Sequence, residues 1–218
     1  MAATAETSMV EDVVEQILHA IARGIYAPGQ RLIELDFTHR LAVSRGVVRE
    51  AFQRLASDGV IEIAHNRGAS VRRLDRREVD EAFAVRGALE VLAAECAAPV
   101  LFADPAPLLA IHREFTVAAA AAAFDRYVAL NAKFHEAIAD AGGNKLLAQN
   151  LRRLGNPLML VQSRRALTAA RAAESVAEHE AIVAAFRAGD LAALRHAVAG
   201  HVESSRQSVQ ALDDGFFD

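Results

Sequence analysis

The chain has 218 residues, and 24 Lys+Arg against 28 Asp+Glu leave a net charge of −4. No global field therefore advertises nucleic acid or an acidic membrane surface. A single cysteine, Cys96, excludes an intrachain disulfide and fits a reducing compartment, and a hydrophobic content of 53% swollen by alanine, without Trp, favours helices over a sandwich or barrel. The longest apolar run, Val117 to Phe124, falls far short of the roughly 20 residues that span a bilayer. The opening MAATAETSMVEDV has no basic segment ahead of an apolar run, so neither a secretory signal nor a membrane partner is expected, and the location expected is cytoplasmic.

Residues 1–9 are expected to be a disordered tail. From Val10 to Arg23, Val10, Val13, Val14, Ile17, Leu18 and Ile21 recur at helical spacing, Gly24 supplies a stop, and Tyr26-Ala-Pro-Gly29 makes a turn. A short helix over Glu34–Arg40 follows, then Leu41-Ala-Val, then a new helix with Ser44 as its N-cap. In that third helix Val48, Ala51, Phe52 and Leu55 form the buried stripe, and the helix stops at Asp58-Gly59. Val60-Ile-Glu-Ile and Ala69-Ser-Val read as two strands joined by His65-Asn66-Arg67-Gly68, a hairpin with a basic tip.

Three helices and a two-stranded wing make a winged helix-turn-helix over residues 10–74. In that geometry the helix beginning at Ser44 enters the major groove of duplex DNA. Arg45 and Arg49 stand one turn apart on the groove side, Gly46 allows close approach to the phosphates, and Arg67 reaches the minor groove or backbone. Nine arginines and eight acids share residues 10–74, so placement matters more than net charge. The competing reading is a small helical domain whose arginines are merely solvated.

The stretch PGQRLIELDFTHRLAVSRGVVREAFQRLASDGVIEIAHNRGASV resembles the DNA-binding domain of GntR-type bacterial transcription regulators. The resemblance implies a repressor or activator with Arg31, Arg45, Arg49 and Gly68 on operator DNA; Ser44, Gly46, Val47, Asn66 and Arg67 complete the expected DNA-binding set. Gly46-Val47 departs from the Thr-Pro or Thr-Thr common at these positions, which removes hydroxyl contacts to DNA.

Beyond a charged hinge at 74–78, residues 75–218 read as an all-α six-helix bundle. An amphipathic helix from Glu78 to about Ala98 is expected to break at Pro99, Pro105 and Pro107. Further helices fall at roughly 106–121, 124–141, 144–165, 173–188 and 190–211, punctuated by Gly142-Gly143 and Gly189-Asp190; the tail from Asp213 is expected to fray. The fold class is thus mainly α, a winged helix-turn-helix followed by a helical bundle. Asn131 and His135 share one helix face, and His179 and His201 lie near the inner sides of two later helices. Three imidazoles and one side-chain oxygen suit Zn²⁺ or Ni²⁺ with open positions, although each histidine taken singly also fits simple packing.

VRGALEVLAAECAA, NAKFHEAIADAGGN, EHEAIVAAFRAGD and the late GHV resemble the FCD effector domain of the FadR-type branch of that family. The resemblance implies a homodimer, a metal held by Asn131, His135, His179 and His201, and a small carboxylate or sugar acid as effector, with Arg86 on its acid group. Asn131 stands where the family usually carries Asp, which weakens one donor and leaves the site more positive by one charge. Arg86 alternatively pairs with Glu90 or Glu178. Two other readings stand beside this one: a metal-dependent enzyme on the histidines, which lacks an HExxH pattern or a Ser or Cys nucleophile motif, and an architectural DNA binder without effector.

Overall fold

The computed structural model describes residues 2–64, 68–154 and 166–218, with side chains described from Met9 onward. The chain divides into two compact units, one built on Met1–Asp75 together with Asp214–Asp218 and the other on the helices that begin at Arg76.

In the first unit, α1 (Ala2–Ala22) buries Val10, Val13, Ile17 and Ile21. Its backbone is helical from Ala2, so the disordered tail expected over residues 1–9 is corrected; Ala2-Ala-Thr-Ala-Glu6 is a run of good helix formers and extends the helix backwards. α2 (Glu34–Leu41) and α3 (Arg45–Ser57) follow, joined through Ala42 in the left-handed conformation at φ 54°. Ser44 caps α3, its hydroxyl accepting from the Val47 amide at 3.3 Å. Tyr26, Phe37 and Phe52 pack in tilted and edge-to-face pairs, with ring centroids 5.5 and 5.6 Å apart.

The wing consists of β2 (Ile61–Ala64) and β3 (Gly68–Val71), antiparallel with Ile61 opposite Val71 and Ala64 opposite Gly68. A third strand, β1 (Arg31–Leu32), pairs with the other edge of β3. Two residues are too short for a period-2 signal, so β1 escapes sequence inspection. The tail does not fray: Phe217 is 5% exposed, forms a bridge with Leu74, and the Asp218 amide donates to the Leu74 carbonyl.

The second unit has six helices among the described residues: α4 (Arg76–Ala103), α5 (Ala106–Ala120), α6 (Phe124–Ala141), α7 (Lys145–Leu154), α8 (Ala169–Ala188) and α9 (Leu191–Gln210). The helix expected over 144–165 is described as far as Leu154; its remainder lies outside the described residues. α4 continues through Pro99, against expectation. Proline removes one amide donor, but Ala97, Ala98 and Leu101 on either side are buried in the bundle core, and that packing outweighs the missing bond. α8 begins at Ala169, earlier than expected, because the Thr168 hydroxyl accepts from the Arg171 amide at 3.1 Å. Phe115, Phe134, Phe186, Ile182, Val183 and Leu194 form the centre of this core.

Candidate DNA-binding face and metal centre

The α2–α3 turn and the base of the wing present one basic face. Arg31 (β1), Arg45 (first turn of α3) and Gly68 (start of β3) line an open cleft of about 300 Å³ with Glu34 and Leu35 of α2. Gly68 sits at φ +81°, and a Cβ there would lie 3.4 Å from the Arg31 guanidinium, so glycine at this position leaves the arginine its place. Ser44, Arg45, Gly46 and Arg49 are all exposed. Arg49 projects with its side chain 68% exposed and holds Glu34 at 2.9 Å. Val47 is corrected: it is 2% exposed and packs inward beside Val48, because α3 turns both valines to its apolar side, and it cannot touch DNA. Asn66 and Arg67 lie outside the described residues.

In the helical unit, His135 (α6), His179 (α8) and His201 (α9) converge, with one ring nitrogen of each lying within 4.8 Å of the other two. Each imidazole is anchored on its far side. His135 Nδ1 is 2.8 Å from Glu90 Oε2, His201 Nδ1 is 2.7 Å from Glu178 Oε2, and His179 Nδ1 is 2.7 Å from the Ser175 carbonyl. Carboxylates and carbonyls only accept, so each Nδ1 carries the proton and donates it. The Nε2 lone pairs are then left facing inward. His135 Nε2 and His179 Nε2 stand 3.4 Å apart, close to the about 3.3–3.4 Å between two nitrogens bonded tetrahedrally to one ion. The donor set therefore fits a divalent metal of Zn²⁺ or Ni²⁺ type. Asn131 is half-buried one turn before His135 on α6, so the two residues share a helix face.

Burial above all, then the neighbouring imidazoles, holds His179 well below the ordinary histidine value. Burial also lowers His201, although the Glu178 carboxylate pulls the other way. For both glutamates burial is the largest influence and acts to raise the carboxyl; their partners overcome it. Arg86 and His135 keep Glu90 well below the carboxylate range, while His201 and Arg171 bring Glu178 down to about 2. Arg86 donates through Nε to Glu90, the first of the two alternative partners, and Glu178 is instead gripped by Arg171 at 2.8 and 2.9 Å.

Glu90 and Glu178, expected only as alternative partners of Arg86, were not expected beside the imidazoles, because their contacts with His135 and His201 join different helices; Arg171, two turns before Glu178 on α8, was not expected either. His112 on α5 was also missed: it is buried, Nε2 lies 2.8 Å from Glu180 Oε2, and Nδ1 has no partner among the described residues. Its position in the apolar series Leu108, Ile111, Phe115 hid it among core residues.

The FCD domain matches residues 81–204, and the family described as bacterial regulatory proteins, gntR family, matches residues 9–71. The chain is a GntR-family regulator with an FCD domain. Among its relatives, the "Probable D-xylose utilization operon transcriptional repressor" of Paenarthrobacter nicotinovorans is 29% identical over 90% of this chain and 86% of that protein. The HTH-type transcriptional regulator McbR of Escherichia coli is 26% identical over 94% and 93% of the two chains. The solved structure of E. coli McbR/YncC matches with a TM-score of 0.77 at 23% identity, over 93% of this chain and 97% of that one. A GntR regulator from Rhodococcus sp. RHA1 matches with 0.78 at 23%, over 94% and 100%. These structural likenesses bear on the fold. Families and relatives alike are transcription regulators, so this GntR–FCD chain binds DNA to regulate transcription and is not an enzyme. No described helix is long and apolar enough to cross a membrane.

Proposed function

We propose that this GntR–FCD regulator senses a small carboxylate through a divalent metal held by His135, His179 and His201, with Asn131 as a neutral fourth donor. The convergence of three Nε2 atoms, each imidazole locked by an acceptor on Nδ1, carries the reading. A bound divalent ion supplies an electrophilic centre with positions open to an anion. Three neutral imidazoles and one amide would leave the ion's charge uncompensated in its own ligand shell, which favours an acid over a neutral sugar. Operator recognition falls to Arg45 and Arg49 on α3, with Arg31, Ser44, Gly46 and Gly68 on the phosphate backbone.

A homodimer reads two half-sites, and the exposed Val85, Leu92 and Val100 on one side of α4 offer an apolar strip for a second copy of the chain. Occupancy of the sensor would change operator affinity by favouring one of two arrangements of the dimer. The test is a thermal-shift screen against small organic and sugar acids with and without Zn²⁺ or Ni²⁺, with His135→Ala as control. Stabilisation by an acid only with metal present, abolished in the variant, is the expected result. Equal stabilisation of parent and variant, or none with any acid or metal, overturns it.

A further inference from the structure

We infer that Arg171 and Arg86 are positioning residues of the metal centre, each acting through one glutamate on one imidazole. The inference rests on the metal reading above and goes a shell further out. On α8, Arg171 sits in the first turn and Glu178 two turns later; both guanidinium nitrogens engage both carboxylate oxygens, at 2.8 and 2.9 Å. The same carboxylate accepts from His201 Nδ1 at 2.7 Å. On α4, Arg86 holds Oε1 of Glu90 one turn away, while Oε2 accepts from His135 Nδ1 at 2.8 Å. Two of the three imidazoles thus hang on the same chain of groups, arginine to glutamate to histidine, built on two different helices.

The third imidazole needs no such chain, because a backbone carbonyl one turn earlier on its own helix anchors it. His135 and His201 differ in that their anchors are side chains with rotamers of their own. A carboxylate with one imidazole partner could swing; the forked guanidinium of Arg171 on Glu178, and the single Nε contact of Arg86 on Glu90, restrict that freedom. Arg171 is 11% exposed on its side chain and Glu90 only 6%, so water competes little for these bonds. The arrangement also gives Arg86 a task in the absence of any effector. Its acid-binding role, expected from the family, would require it to share or release Glu90.

Holding the Nδ1 acceptor in place fixes the tautomer and the ring plane, and loss of such outer partners typically weakens metal binding about 10–100-fold. The arginines make no contact with the ligating Nε2 atoms, so their effect must pass through the glutamates. That gives a signature that general destabilisation would not produce.

The experiment uses the full-length protein and metal alone, with Zn²⁺ affinity measured by chelator competition and the visible absorption of the Co²⁺-loaded protein recorded. Arg171→Met and Glu178→Gln are each expected to weaken Zn²⁺ binding about 10–100-fold and to alter the Co²⁺ spectrum, and Arg86→Met to do likewise through Glu90. Adding Arg171→Met to Glu178→Gln is expected to cost nothing more. Arg152→Met, which breaks the exposed pair with Asp140 at 3.3 Å, is expected to bind as the parent does. The near-isosteric Glu178→Gln keeps the test open should an arginine variant fold poorly. Parent-like affinity and spectrum in folded Arg171→Met and Glu178→Gln overturn the arginine chains alone, as do additive losses in the double variant. A parent that binds neither ion overturns the metal reading and this inference with it.

Discussion

Arg49 of the winged unit and Arg171 of the helical unit stand in opposite environments. In the winged unit Arg49 extends with 68% of its side chain exposed, tethered among the described residues to Glu34; in the helical unit Arg171 lies half-buried with both sides of its fork occupied by Glu178. An exposed pair is worth about 0–1 kcal/mol and exchanges readily for a phosphate or a base edge. A desolvated, doubly bonded pair cannot exchange so easily, because a buried charge without its partner is expensive. The same residue type thus stands exposed in one unit and is fixed as a strut in the other. Exposure, rather than charge, separates the two.

The largest effect should come from breaking a strut. Glu90→Ala leaves Arg86 without its carboxylate and His135 without its acceptor, and is expected to lower stability by about 3–5 kcal/mol in urea unfolding. A change below about 1 kcal/mol would place this pair with the exposed ones.

Acid provides a second way to break the helical unit. His179 and His201 are held below the ordinary value of 6.5, so in metal-free protein the unfolded chain binds more protons than the folded one as pH falls below that value. Stability is then lost progressively on acidification. Glu178, lowered from 4.5 to about 2, adds stability that is present above 4.5 and disappears as pH falls toward 2. Thermal midpoints measured from pH 8 downward should fall first in the imidazole range, and at least as steeply with Zn²⁺ bound, because the ion needs its imidazoles unprotonated; a flat profile to pH 5 counts against the buried neutral imidazoles.

On the exposed side, Arg49→Ala should cost about 1–3 kcal/mol of operator affinity in fluorescence anisotropy if the arginine reads a base, with little change in unfolding. Glu34→Gln, which frees Arg49 from its tether, should leave stability equally untouched. A stability loss as large as that of Glu90→Ala would erase the contrast. The smallest effect is local: Ala42→Gly relieves a left-handed backbone at φ 54° and should stabilise by a few tenths to about 1 kcal/mol, the relief being offset by glycine's freedom in the unfolded chain.

Much of the architecture could be read from short-range chemistry. The apolar spacing in α1 and α3, the Ser44 cap, the Gly189-Asp190 junction and the two wing strands each depend on residues within a turn or two of one another, where helical and strand periods apply directly. The three histidines were visible for the same reason, each standing on one face of its own helix. Val47 was misplaced because a stripe at i, i+3, i+4, i+7 does not say how wide the buried face is; packing of α3 widened it by one residue.

The rest waited on contacts between segments far apart in the chain. Pro99 did not end α4, because the bundle around Leu101 offsets the missing amide bond. Strand β1 forms as a partner of β3, and Phe217 is buried where the tail bridges to Leu74. At the histidine cluster, Glu90 on α4 meets His135 on α6, and Glu178 on α8 meets His201 on α9. Periodicity describes one segment at a time and carries no record of which helix lies opposite. Local spacing could therefore nominate the imidazoles, while the groups that aim them were set by helix packing.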